Sequence, residues 1–165
     1  YVIVSGSAKV LSRDSEGREV ILAFLSQGES FGEMGLIDGE PRSADVVVVD
    51  PCELLEISRD DLVKAFKQSS DLSLNIMRSL VTRLRQANWK IEGLALMDVY
   101  GRVAKNLFDL SEVVGGVRII RHKVTKQDMA KLVGASREMV TRVMKDLERS
   151  GYIRIDDGNI VITMD

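Results

Sequence analysis

Between Thr125 and Ser150 the chain carries two helix-start signals with a single glycine between them. Thr125-Lys126-Gln127-Asp128 has a threonine N-cap and an acid three residues on, a capping-box pattern with Asp in place of Glu. Met129, Leu132 and Val133 follow at helical spacing. Gly134 then supplies a residue that takes positive φ without steric cost. Ser136 caps a second helix running to Ser150. After Gly151, Tyr152–Ile155 and Ile160–Ile162 alternate about Asp157-Gly158, a hairpin signal. Two helices across a tight glycine turn, followed by a hairpin, have the order of a winged helix-turn-helix.

The second helix divides into two faces. Stepping about 100° per residue from Arg137 places Thr141, Lys145, Glu138 and Arg142 within about 140° of it on one side. Met139, Val140, Val143, Met144 and Leu147 fill roughly 200–340° and are expected to pack on the domain. The polar arc holds the side chains that read base edges: arginine donates twice to guanine, and glutamate accepts from cytosine N4. Lys126, Gln127 and Lys131 on the preceding helix suit phosphates. An ordinary solvated helix has the same amphipathicity; the caps, the turn, the hairpin and the local charge set this one apart.

That charge is unevenly spread. Residues 1–66 carry 6 Lys/Arg against 13 Asp/Glu, residues 67–97 carry 5 against 2, and residues 118–154 carry 10 against 4. The acidic front and basic back point to different partners at the two ends. The front reads as short strands at Tyr1–Val4, Ala8–Ser12, Glu19–Leu25, Ser43–Val49 and Cys52–Ile57. Turn signals at Ser5-Gly6-Ser7, Asp14-Ser15-Glu16-Gly17, Gln27-Gly28 and Asp50-Pro51 separate them, as in a sandwich or barrel. The opening Tyr1-Val2-Ile3-Val4 reads as mid-strand, so further strands are expected upstream.

The period changes at Ser58, an N-cap followed by Asp60 and Asp61. A short helix with Leu62, Val63 and Phe66 precedes a long one from Leu72 to Leu96. Met77, Leu80, Val81, Leu84, Ala87, Ile91, Leu94 and Ala95 form a heptad seam along the long helix, flanked by Arg78, Arg83, Arg85, Lys90 and Glu92. Packing on its own domain would give the same periodicity, but the length favours a two-stranded dimer. Another helix, Asp98–Leu110, and a strand, Val117–Ile120, lead into the helix-turn-helix.

One further segment carries chemistry: Phe31-Gly32-Glu33-Met34-Gly35-Leu36, then Pro41-Arg42-Ser43-Ala44. Glycines expose backbone N–H groups to a phosphate, and Arg42 can pair with the same anion. Glu33 can accept from sugar hydroxyls. By composition alone, Arg42 serves equally well in a surface ion pair. Other classes fit less well. One cysteine, Cys52, excludes a disulfide framework and suits the cytoplasm. A haem or iron–sulfur sensor needs ligands that Cys52 and the lone histidine, His122, do not supply in this span. No metal cluster for an enzyme is visible, and no apolar run spans a bilayer.

The stretch Thr125–Glu138, continuing through Val140, Arg142 and Lys145, resembles the helix-turn-helix of the cyclic AMP receptor protein family, and the likeness extends over nearly the whole chain. It implies an α+β fold: a β-roll (jelly-roll) cyclic-nucleotide-binding domain over 1–66, a dimerisation helix over 67–97 and a winged helix-turn-helix over 98–165. The function it implies is a ligand-controlled transcription regulator, an activator, acting as a homodimer on double-stranded DNA. Arg137, Glu138 and Arg142 match its base-contacting positions on TGTGA-like half-sites. The expected DNA-binding set is completed by Thr125, Lys126, Gln127, Ser136 and Lys145.

Gly32, Glu33, Arg42 and Ser43 match the phosphate-binding cassette of cyclic-nucleotide sensors, where the glutamate takes the ribose 2′-hydroxyl and the arginine the cyclic phosphate. Met34 is grouped with them, and Val10, Leu22 and Ala23 would line the pocket. The family's threonine-serine pair facing adenine is replaced by Ala87 and Asn88. Cyclic AMP is the first expectation for the effector; cyclic di-GMP or another cyclic nucleotide, or a ligand-independent regulator, are the alternatives. RNA polymerase is an expected partner, but the loop Ser111–Val117 is shorter than the family's polymerase-contacting loop, so that contact is not carried over.

Overall fold

The computed structural model describes residues 1–120, 124–156 and 159–163. The chain divides into two compact units, Tyr1–Ala87 and Asn88–Asp165.

In the first unit β1 (Val2–Arg13) is the middle strand of an antiparallel sheet, with β2 (Glu19–Leu25) on one side and β3 (Asp45–Leu55) on the other. Two expected turns are corrected here. Ser5-Gly6-Ser7 lies inside β1, and Asp50-Pro51 lies inside β3. The register between the two strands slips at Ser5 and Ser7. Gly6 has φ 90°, and a Cβ there would stand 2.2 Å from the Pro51 carbonyl oxygen. The buried Ser7 hydroxyl donates to Asp50 Oδ2 at 2.5 Å. The breakers on the two strands thus meet in one bulged region. Pro51 is tolerated because β3 is an edge strand.

Ile3, Ala8 and Leu25 form the small core, with Phe31 packed against it. Gly28 N–H donates to the Ile3 carbonyl, and Ile3 and Phe31 N–H donate to the carbonyls of Glu29 and Tyr1. This strap fixes where the chain enters α1 (Glu33–Asp38), a short helix between Gly32 and Gly39 that the sequence pattern did not announce. After β3 come α2 (Arg59–Gln68), capped by Ser58, and α3 (Ser70–Leu96). The apolar seam of α3 is left open: Met77, Val81, Leu84 and Ile91 are all exposed, Leu84 by 62%.

The second unit packs α4 (Val99–Leu110), α5 (Lys126–Val133) and α6 (Arg137–Arg149) with a four-stranded sheet of order β4-β5-β7-β6. Its strands are β4 (Glu112–Val114), β5 (Val117–Ile120), β6 (Ile153–Asp156) and β7 (Asn159–Ile162). The expected loop Ser111–Val117 is largely a hairpin turning at Gly115-Gly116. Asp157-Gly158 and His122 lie outside the described residues, but β6 and β7 pair up to Asp156 opposite Asn159. Val103, Leu107, Met129, Val133, Val140 and Leu147 meet in one core with Ile120 and Ile153. Arg102 fastens two helix ends that would otherwise leave carbonyls unmet. Its Nε donates to Val133 O and its Nη1 to Met97 O, both at 2.9 Å.

Leu147 is 1% exposed at the centre of that core. Leu147→Ala removes packed atoms and leaves a cavity, so it is expected to cost about 2–5 kcal/mol. Chemical denaturation of the variant, followed by circular dichroism, checks this.

Candidate functional site

Two clusters of chemistry emerge, one in each unit. In the first unit, Gly32 sits at φ 79° immediately before α1. Its carbonyl accepts a 2.5 Å hydrogen bond from Arg42 Nη1. A Cβ on Gly32 would stand 2.7 Å from that same nitrogen, and one on Gly35 would stand 2.8 Å from the Glu40 carbonyl oxygen. Glycine at both positions therefore lets the backbone and Arg42 close up.

Glu33 is the buried member, with its side chain 12% exposed. Its Oε1 accepts from Arg83 Nη1 at 2.6 Å, and the other Arg83 nitrogen donates to the Ser30 carbonyl. Glu33 Oε2 is buried without a hydrogen-bond partner. A buried carboxylate oxygen left unmatched is costly. Arg83 stood in the sequence only as a charged flank of the helix seam. The contact spans 50 residues, so no local spacing could have signalled it.

The structure thus brings Gly32, Glu33 and Arg42 together and adds Arg83. Ser43 Oγ lies 3.8 Å from the sulfur of Met34, and both residues are exposed. Val10 and Ala23 pack on the same small core as Phe31, whereas Leu22 is exposed. Ala87 and Asn88, further along α3, are exposed.

In the second unit the caps form as expected. Thr125 Oγ1 accepts from Asp128 N–H at 3.0 Å, and the Thr125 hydroxyl donates to the Asp128 carboxylate at 2.7 Å. Gly134 takes φ 65° and ends α5, its N–H donating to the Ala130 carbonyl. Ser136 Oγ accepts from Met139 N–H at 3.2 Å and starts α6. Val140, Val143, Met144 and Leu147 are buried on one side of α6. Arg137, Glu138, Arg142 and Lys145 are exposed on the other, as are Lys126 and Gln127 on α5. Among the described residues, Arg137, Glu138, Arg142 and Lys145 make no ion pair, so their charges are open to a ligand. Met139 is a correction: placed with the packing face, it is 39% exposed. It borders the polar arc in the first turn of α6, where the core no longer covers it.

Among the described residues no helix is long and apolar enough to cross a membrane, and no group of three or more His, Cys, Asp or Glu could hold a metal.

Comparison with known proteins finds a family match over each of the two segments that carry these clusters. Residues 1–69 match the cyclic nucleotide-binding domain family, and residues 101–164 match the Crp-like helix-turn-helix domain. The chain is 36% identical to the cAMP-activated global transcriptional regulator CRP of Pasteurella multocida, over 98% of this chain and 79% of that protein. It is 32% identical to a CRP-like cAMP-activated global transcriptional regulator of Mycobacterium tuberculosis, over 99% of this chain and 75% of that protein. Among solved structures it resembles the c-di-GMP-responsive global regulator CLP of Xanthomonas campestris. That match has a TM-score of 0.77 and 31% identity, covering 99% of this chain and 84% of that one. The fold and the two matched domains define a ligand-controlled, DNA-binding transcription regulator whose effector class is a cyclic nucleotide. The chain belongs to the cyclic AMP receptor protein (CRP) family, whose matched members are regulators rather than enzymes.

The Glu33–Arg83 pair is open to direct test. Arg83→Met leaves the carboxylate without its charged partner and is expected to destabilise the first unit by about 1–3 kcal/mol. Adding Glu33→Gln removes the stranded charge and should recover part of the loss. A double-mutant cycle on thermal unfolding reads the coupling.

Proposed function

We propose that the effector is cyclic AMP, held by Glu33 and Arg42, and that its binding controls a homodimer reading DNA through α6. The observation that carries the effector half is the buried Glu33 Oε2, without a partner among the described residues, beside an arginine whose one partner among them is a backbone carbonyl. A sugar hydroxyl donates to Oε2, while Arg83 holds the other oxygen and fixes the carboxylate. Arg42 exchanges the Gly32 carbonyl for a phosphate, to which it can donate two parallel hydrogen bonds. Gly32, Met34 and Ser43 shape this end of the pocket, and Ala87 and Asn88 are assigned to the base.

Ala87 has no side-chain hydrogen bond to offer a base, and this favours a second reading, cyclic di-GMP. A regulator of similar fold is described as c-di-GMP responsive. Calorimetric titration with cyclic AMP, cyclic GMP and cyclic di-GMP separates the two. Tight binding of cyclic AMP alone supports the first reading, and tight binding of cyclic di-GMP alone replaces it.

For the DNA half, Arg137, Glu138 and Arg142 read base edges on a TGTGA-like palindrome, with Lys145 beside them. Thr125, Lys126, Gln127 and Ser136 hold the backbone at the entry to the groove. The domain division 1–66, 67–97 and 98–165 gives the long helix its own role, dimerisation through the exposed seam. The protein works in the cytoplasm, with RNA polymerase as its onward partner.

Two variants follow. Arg42→Ala deletes the charge that meets the phosphate and is expected to abolish cyclic-nucleotide binding while the fold persists. Unchanged affinity in calorimetry overturns the pocket. Leu84→Asp places an unpaired carboxylate in the seam and is expected to give monomers by analytical ultracentrifugation. A variant that still sediments as a dimer removes α3 as the interface.

A further inference from the structure

We propose that Thr141 is a specificity-determining residue that reads a thymine through its methyl group. The proposal rests on α6 being the reading helix. At about 100° per residue, Thr141 falls about 40° from Arg137 and about 60° from Glu138, between the two expected base readers. It stands one turn beyond Arg137, about 6 Å along the axis.

Its hydroxyl is already committed. Thr141 Oγ1 donates to the Arg137 carbonyl oxygen at 2.7 Å. Such a back-bond to residue i−4 satisfies the hydroxyl within the helix and selects one χ1 rotamer. The hydroxyl proton is therefore spent on the helix, so the side chain offers a base its methyl and, from Oγ1, an acceptor lone pair but no donor. The residue is half-buried rather than fully exposed, so the methyl is held close to the helix surface and does not sweep the groove. Arg137, Glu138 and Lys145, charged and longer, lie three or four residues away along the same arc, and the buried Met144 borders Thr141 on the other side.

An apolar methyl beside polar readers has one complementary feature in the major groove, the 5-methyl group of thymine. Arg137 and Glu138 need hydrogen-bonding edges; Thr141 fills the gap between them, where the 5-methyl of a thymine can approach. Its hydroxyl and its methyl predict opposite outcomes, which makes the assignment testable.

The experiment uses the full chain with saturating cyclic AMP, repeated with cyclic di-GMP, and a duplex that the protein itself selects from a random pool. Each thymine of a half-site is replaced singly by deoxyuridine, which removes only the 5-methyl. Binding is measured for the unaltered protein, Thr141→Ser, Thr141→Val and Arg137→Ala. The unaltered protein is expected to lose about fourfold in affinity per half-site at one thymine position, the worth of one buried methyl. Thr141→Val keeps a methyl and should keep that dependence. Thr141→Ser keeps the hydroxyl and should lose it. Full methyl dependence in Thr141→Ser, or no dependence in the unaltered protein, overturns the proposal. Arg137→Ala tells which premise failed. If it relaxes discrimination at a guanine, the helix reads DNA and only the role of Thr141 is wrong. If it does not, the reading helix itself is wrong.

Discussion

Val140, Val143, Met144 and Leu147 bury one side of α6 in the core of the second unit, and that burial decides which side chains face outward. Rotating the helix to expose them would cost several apolar side chains at roughly 1.5–3 kcal/mol each. The opposite arc, with Arg137, Glu138 and Arg142, is therefore presented at a fixed angle rather than by its own preference. Gly134 and the Thr125 and Ser136 caps fix where α5 stops and α6 starts. The Arg102 clasp ties the end of α5 to the end of α3. Recognition by rigid side chains on a packed helix is cheaper in entropy than recognition by a loop.

The first unit uses the reverse strategy. Its site is built around a charge that the protein satisfies only halfway. Arg83 neutralises Glu33 and holds it in one orientation, yet one carboxylate oxygen remains buried and unmatched. Arg42 is occupied by a backbone carbonyl, a weaker partner than an anion. A ligand that brings both a hydroxyl donor and a phosphate resolves both at once. In the proposed reading, a ligand shifts the regulatory equilibrium only by as much as it binds one state better than the other.

How much of this the sequence disclosed depended on the range of the interactions. The helix-turn-helix was legible because caps, glycine turn and apolar period are local signals, and each formed where it was read. Gly32, Glu33 and Arg42 were legible as a motif, and the structure draws them together. Arg83 was not, because its partners are supplied by a segment 50 and 53 residues away. The turns read at Gly6 and Pro51 failed for a related reason. Each breaker, taken alone, ends a strand, but set against each other across β1 and β3 they make a bulge. Met139 was misplaced because angular position ignores how far the core extends along the helix.

One arc of α6 is proposed to read sequence while α5 holds the backbone. Arg137→Ala and Lys126→Ala separate these roles in a single titration across several salt concentrations. The DNA series is a TGTGA-type palindrome, the same site altered at one guanine, and unrelated DNA. Arg137→Ala is expected to lose about 1–3 kcal/mol per half-site on the palindrome only, with discrimination at that guanine relaxed. Lys126→Ala is expected to weaken all three alike and to lower the salt slope by about one unit. Equal, sequence-independent losses for both variants, or no loss for either, would overturn this division of roles.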